Sequence, residues 1–272
     1  MSHKSLAGLL ALLLVLPGCA APAPDTSPMP VPIATTVPTP TATPISTPPA
    51  EGAVWGERVY AMDYTADDGT LLLSVSYTLP CLENGENYPP YQAVNDYFLQ
   101  VEDDLISAAQ SRADQLEDDY GLSLENGTGF APGSEEMDYT FTRQTDRYVS
   151  LKRTFYITSE GAAHPTVYCW SEQLDLSDGH KMTFADCFTD PETAAQRAAD
   201  AVAASSQAAE LEAAGLAPGT LAAAFQPEHY YLSDQGFVFW YQAGELEANN
   251  SPVEITVSYR TFDGLLQPWV NP

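Results

Sequence analysis

Three histidines follow the first fifty residues: His164, His180 and His229. Chemistry would begin with them or with the acids. No His-x-x-x-His pair and no Cys-x-x-Cys pair occurs, so the spacing offers no zinc site. His164 precedes Pro165 and reads as a turn histidine bonded to backbone, with a general base as the rival reading. No Gly-x-Ser-x-Gly elbow is present for a serine hydrolase. Glycoside hydrolysis needs two carboxylates flanking one bond, but the chain holds 37 acidic residues, so some pair is inevitable and abundance points to none. Asp67-Asp68-Gly69 lacks the alternating acids of a calcium loop and reads as a hairpin turn. The expectation is a non-enzymatic protein with no catalytic residue, no metal and no cofactor. Cys81, Cys169 and Cys187 allow at most one disulfide among themselves. Cys169 and Cys187 bracket an expected hairpin, Cys81 is an alternative partner for either, and three buried thiols fit equally well.

The charge narrows the partners. The 272 residues hold 10 Lys and Arg against 37 Asp and Glu, a net charge of −27. Nucleic acid is excluded as a partner, because phosphate recognition draws on Lys and Arg and an acidic surface repels polyanions. A polybasic helix lying on anionic lipid is excluded on the same ground. An apolar content of 44% suffices for a packed core.

The N-terminus reads as an address and a tether. Lys4 is followed by an apolar run from Leu6 to Leu16, too short to span a bilayer core. It ends in Leu16-Pro17-Gly18-Cys19, which resembles the lipobox of bacterial lipoproteins. That resemblance implies a signal peptide over 1–18, cleavage before Cys19 and lipidation of its thiol, with acyl chains holding the protein to the cell membrane on its extracytoplasmic face. Residues 19–50 are Pro- and Thr-rich. Proline fixes φ and removes a donor, so this stretch is expected to be an extended tether reaching at most roughly 90 Å.

The rest must fold. Val54–Thr65 and Leu71–Leu79 read as strands. Residues 90–120 read as a long helix, because Val94, Tyr97, Phe98, Val101, Leu105, Ala109, Ala113, Leu116 and Tyr120 recur at spacings of three and four. Pro89 and Pro90 precede it, and Gly121 is its expected C-cap. Met137–Arg143, Tyr148–Thr158 and Thr166–Leu176 follow as strands, with Ser177-Asp178-Gly179 as a turn. An Ala-rich second helix is expected over 190–214, then strands at 230–232, 237–241 and 253–259. The class is α+β: antiparallel sheet with two main helices packed on it.

Three stretches then carry a resemblance: Gly161-Ala162-Ala163-His164-Pro165, Asp178-Gly179-His180-Lys181-Met182-Thr183-Phe184-Ala185-Asp186-Cys187-Phe188, and Phe237-Val238-Phe239-Trp240-Tyr241-Gln242-Ala243-Gly244-Glu245-Leu246. In this order, before a final strand, they resemble the RsiV-like C-terminal domain (domain of unknown function 3298), here 136–272. Residues 54–120, with Asn95 near the start of the helix, resemble the small domain that usually precedes it, here 51–135. The family-motif residues are Gly161, His164, Pro165, Asp178, Gly179, Asp186 and Phe188. Ala162 stands where the family more often has Gly, and Cys187 where it tends to have an aliphatic residue. Family members include the outer sensors of anti-sigma factors that bind lysozyme, and domains preceding peptidoglycan deacetylases. With a signal and tether at one end and no length for a deacetylase at the other, the resemblance implies an isolated extracytoplasmic binding or sensor domain. Its expected partner is a cationic protein such as lysozyme, or a cell-wall glycan, with exposed Tyr and Trp as anchors. The competing expectations are a peptidoglycan-modifying enzyme with a carboxylate site and a structural envelope spacer.

Overall fold

The computed structural model describes residues 52–159, 164–246 and 251–270. Cys19, the signal and the tether lie outside them, as does Gly161. Two antiparallel strands, β1 (Trp55–Thr65) and β2 (Leu71–Leu82), are joined by the Asp67–Gly69 turn. Helix α1 (Pro89–Asn126) leads to β3 (Gly133–Gln144), β4 (Tyr148–Ser159) and β5 (Thr166–Asp175). These strands form one sheet in the order β1-β2-β3-β4-β5.

One joint departs from the expected antiparallel sheet: β2 and β3 are parallel, with Leu73 opposite Gly133 and Tyr77 opposite Met137. The cause is α1. A connection between parallel neighbours has to carry the chain back along the sheet, and a long helix does so. The sheet also takes strands from both sides of the expected 135/136 boundary, with β3 straddling it.

Helix α1 is 38 residues long and passes through Gly121 without stopping. Its end is at Gly127, whose φ of 63° is left-handed. The Thr128 N–H reaches the Ser123 carbonyl (2.9 Å) and the Gly127 N–H the Leu124 carbonyl (3.3 Å), which closes the last turn. A helical glycine in the interior is tolerated at a cost of about 1 kcal/mol, so Gly121 alone did not end the run. Pro89 and Pro90 occupy the first turn, where the N–H they lack would have had no partner. Asn95 locks the helix to β2: its side-chain oxygen accepts from the Leu82 N–H (2.7 Å) and its amide donates to the Leu82 carbonyl (3.0 Å).

The inward stripe of α1 buries Tyr91, Val94, Phe98, Ala109 and Ala113 against Leu73, Val75, Tyr77 and Leu79 of β2, Met137 of β3, and Val149, Leu151 and Phe155 of β4. Each large side chain contributes about 1.5–3 kcal/mol by leaving water. Two buried carboxylates sit in this layer. Glu172 of β5 has a side chain 1% exposed; it is gripped by Arg153 of β4 (Nη2 to Oε1, 2.5 Å) and accepts from the Tyr97 hydroxyl of α1 (3.0 Å). Glu135 of β3 pairs with Arg112 of α1 (Nε to Oε1, 3.1 Å) and accepts from the Tyr77 hydroxyl (2.6 Å). Burial pushes both phenols far above their ordinary range, so they stay protonated and donate.

The other face of β4 and β5 meets a second layer. It contains α2 (Pro191–Ala203), α3 (Ser206–Ala213), the short α4 (Thr220–Ala224) and a three-stranded antiparallel sheet of β6 (Tyr230–Leu232), β7 (Gly236–Tyr241) and β8 (Val253–Ser258). The helix expected over 190–214 is thus two. Ser205 breaks it by turning its hydroxyl to the Ala208 N–H (3.0 Å), a side-chain bond that starts α3 afresh. Phe184, Phe188, Phe237, Phe239 and Phe262 fill the second core with Cys187, Ala194 and Ala198. Polar contacts stitch the layers: Leu232 N–H to the Ser150 hydroxyl (2.9 Å), Gln242 to both backbone groups of Cys169 (2.9 and 3.0 Å), and Glu254 between Lys152 (2.7 Å) and the Tyr231 hydroxyl (2.8 Å).

Cys81, Cys169 and Cys187 are free thiols; Cys81 is half-buried and the others are buried. Burial pushes Cys169 and Cys187 up to about 12.

The buried pair and the thiols are both open to measurement. Glu172→Ala leaves the Arg153 guanidinium buried without its counter-charge and should cost about 3–5 kcal/mol in urea unfolding, whereas Glu172→Leu with Arg153→Met together should recover most of the loss. A single Ala variant as stable as the parent would refute the buried pair. Of these three thiols, alkylation at pH 8 should modify Cys81 alone in the folded chain and all of them in denaturant. Rapid native labelling of Cys187, or fewer than three thiols after unfolding without reductant, would contradict the geometry.

Candidate functional site

Once α1 is pinned inward, its outward face is decided. Asp96, Asp103, Asp104, Asp114, Glu117, Asp118, Asp119 and Glu125 are all exposed. Glu102 pairs with Arg58 of β1 (2.9 Å). The helix carries one basic residue, Arg112, and its guanidinium points to buried Glu135. A rod of about 57 Å therefore presents, Arg112 aside, exposed charges of one sign, all negative. At physiological salt the screening length is about 8 Å, so acids one or two turns apart repel one another. Five of them (Asp114, Glu117, Asp118, Asp119 and Glu125) lie in the C-terminal third, where the helix dipole also disfavours negative charge. No basic residue occupies the last turn. The face is held together by its buried side and strained on its outer one.

Near this end a cavity of about 250 Å³ opens between α1 and the sheet, lined by Leu73, Arg112, Leu116, Glu135 and Ile157, with His164 among its walls. It brings a histidine, a guanidinium and a carboxylate to one place. The carboxylate is already engaged at both oxygens, by Arg112 and by Tyr77. The second buried carboxylate, Glu172, is far from it: Glu135 lies opposite Ile157 and Glu172 opposite Leu151, six residues apart along β4, or about 20 Å. That separation is well beyond the spacing of an acid pair acting across one glycosidic bond.

The family-motif residues do not converge. His164 and Pro165 are exposed before β5, and Asp178 and Gly179 follow its other end, about 30 Å away. Gly179 (φ 81°) has a physical reason for its identity: a Cβ there would lie 2.4 Å from the Pro90 carbonyl oxygen, so the turn seats the first turn of α1. Asp178 accepts from the His180 N–H (3.1 Å) and contacts its Nδ1 (2.5 Å). Desolvation opposes ionisation of the Asp178 carboxyl, but these two His180 interactions outweigh it and hold the group below the usual range. Asp186 accepts from the Thr183 N–H (2.7 Å) and hydroxyl (2.8 Å), and Phe188 is buried in the second core. Asp175, Asp178 and His180 present ligand atoms within 4.8 Å of one another, yet Asp175 already pairs with Arg147 and accepts from Ser177. His229 stacks on Trp240 at 4.1 Å, and burial holds it below the ordinary histidine value. These residues build turns and cores.

Sequence reasoning missed Glu135, Arg153 and Glu172. The signal was there: alternation puts Glu172 in step with Tyr168, Trp170 and Leu174, and Glu135 in step with Met137, on the buried side of their strands. The expected display of aromatics is smaller than anticipated. Among the described large hydrophobic side chains that are exposed, Trp170 is the one aromatic, because the tyrosines are spent on cores and carboxylates.

No family model matches the sequence, and no curated protein matches it. Solved structures do. A member of the DUF3298 family from Bacteroides fragilis NCTC 9343 matches with a TM-score of 0.63 at 16% identity, over 80% of this chain and 96% of that one. A DUF3298 family protein from Pseudomonas aeruginosa PAO1 matches with a TM-score of 0.54 at 14% identity, over 84% and 99%. The helix-crossed five-stranded sheet with its second, three-stranded layer is therefore the fold of DUF3298 family proteins.

Proposed function

We propose that this chain is a DUF3298 family lipoprotein, anchored through Cys19 on the outer side of the cell membrane, whose folded domain binds a cationic protein through the outer face of α1. The observation that carries this reading is the eight exposed acids of α1 beside a single basic residue, half-exposed Arg112, whose guanidinium is paired with buried Glu135. Such a face carries an electrostatic cost in the isolated protein, since like charges crowd a helix end already made negative by its dipole. A partner with Lys and Arg on a matching surface would relieve that cost and be steered to the face by its field. The RsiV-like resemblance points to the same class of partner, a lysozyme being one. The domain acts as a surface rather than a reaction centre: among the described residues the buried carboxylates are each already engaged, Glu135 and Glu172 by a guanidinium and a tyrosine hydroxyl, and Asp175 by Arg147 and Ser177.

Titration of the chain with lysozyme at low and moderate salt tests this. Binding should be measurable at low salt and weaken steeply as salt rises. Replacing Asp114, Glu117 and Asp118 with Asn, Gln and Asn should slow association about tenfold with little change in fold stability. Absence of binding at low salt, or an unaltered association rate in the triple variant, would overturn the reading.

A further inference from the structure

A second opening lies midway along α1, where it crosses β3, β4 and β5. This groove of about 220 Å³ is lined by Val101, Asp104, Leu105, Met137, Arg153 and Trp170. At its base is Arg153, whose side chain is 9% exposed. Nε and Nη2 of that guanidinium are committed to Glu172 (3.1 and 2.5 Å). The hydrogen bond from Nη1 goes to the thioether sulfur of Met137 at 3.6 Å. A thioether is a weak acceptor, so this amino group retains capacity for an oxygen. In a site largely removed from water such a bond is worth more than at the surface.

The walls restrict what that oxygen belongs to. Val101, Leu105 and Met137 supply apolar surface beside Arg153. Trp170, 36% exposed, offers an indole at the mouth, with the Arg153 guanidinium 5.7 Å from its ring centroid; the exposed part of the indole suits the flat apolar face of a ring. Asp104 is exposed at the rim and can accept from a hydroxyl or an amide N–H. The charge of Arg153 is met by Glu172, and Asp104 adds a negative charge, so the groove does not favour an anion. The occupant is then a neutral molecule combining a carbonyl oxygen, a methyl group, hydrogen-bond donors and a ring face.

We propose that this groove binds a pyranose ring bearing an acetamido group. The acetamido carbonyl accepts from Arg153 Nη1, its methyl rests among Val101, Leu105 and Met137, the ring lies on Trp170, and Asp104 takes a donor from the sugar. Asp104 lies at the rim of both this groove and the anionic face invoked for a cationic protein; the substitutions that test each, at Asp114, Glu117 and Asp118 there and at Leu105 or Val101 here, are different, so either can fail without the other.

The test uses the full-length chain in a non-glycosidic detergent, with the Trp170 indole N–H followed by NMR and assigned through Trp170→Phe. N-acetylglucosamine should shift that signal saturably with a Kd on the order of 1 mM. Glucose, which lacks the acetamido group, should bind at least about tenfold more weakly. Leu105→Phe, which fills the groove and leaves the Arg153–Glu172 pair intact, should weaken binding by a similar factor; Val101→Phe serves if the first variant does not fold. The tetramer of N-acetylglucosamine separates the sources of this chemistry. Tighter binding than the monosaccharide identifies a glycan strand, and equal affinity a free sugar. No saturable shift, an equal response to glucose, or a response unchanged by the groove-filling variant would each overturn the proposal.

Discussion

A carboxylate cannot be buried alone, and this fold buries several at its joints. Buried Glu135 and Glu172, and partly exposed Glu254, each accept from one cation and one tyrosine hydroxyl: Arg112 and Tyr77, Arg153 and Tyr97, Lys152 and Tyr231. The first two lie between α1 and the five-stranded sheet, and the third ties β4 to the second layer. A buried ion pair adds little net stability against an apolar alternative, but breaking one is expensive. Such pairs therefore act as registry pins. With Tyr97 and Arg112 fifteen residues apart on α1, both pins are met only when the helix lies along the sheet in one rotation and one register. The outward side of α1 is set by that placement.

The helix thereby divides its labour between two faces. The inner stripe is apolar and carries the fold. The outer stripe is acidic and works against the helix, through like-charge crowding and an unfavourable dipole at the C-terminal end. The fold can sustain this because the stabilising contacts sit on the opposite side, among residues the acids do not touch. The same geometry leaves a groove where Arg153, Trp170 and the apolar flank of α1 meet, so the pin that fixes the helix also exposes part of a buried guanidinium.

Much of this was legible in the residues. The 3.6-residue stripe of α1, the hairpin at Asp67–Gly69, the turn at Asp178–Gly179 and the mixed α+β class all come from local periodicity and turn chemistry. The misreadings share a cause: signals that are local in sequence were overruled by tertiary structure, or the reverse. Gly121 looked like a stop but sits inside a helix whose end is set by the left-handed Gly127. Ser205 looked innocuous in an Ala-rich run but starts a new helix with its own hydroxyl. The parallel β2–β3 joint could not be read from either strand, because it depends on the helix between them being long enough to return the chain. Of the candidate site, the acids of α1 are plain in the sequence, but the pairing of Arg112, the helix's one cation, with Glu135 of β3 depends on a strand 23 residues away and is not.

The central claim is that the outer face of α1 is the contact surface for a cationic protein. Carboxyl footprinting measures this most directly: exposed acids are amidated in the free chain and in its complex with lysozyme at low salt, and the modified positions are read by mass spectrometry. The account predicts that Asp114, Glu117, Asp118 and Asp119 lose reactivity in the complex while acids away from α1, such as Asp186 and Asp263, keep theirs. Unchanged reactivity along α1, or protection confined to acids elsewhere, would contradict it.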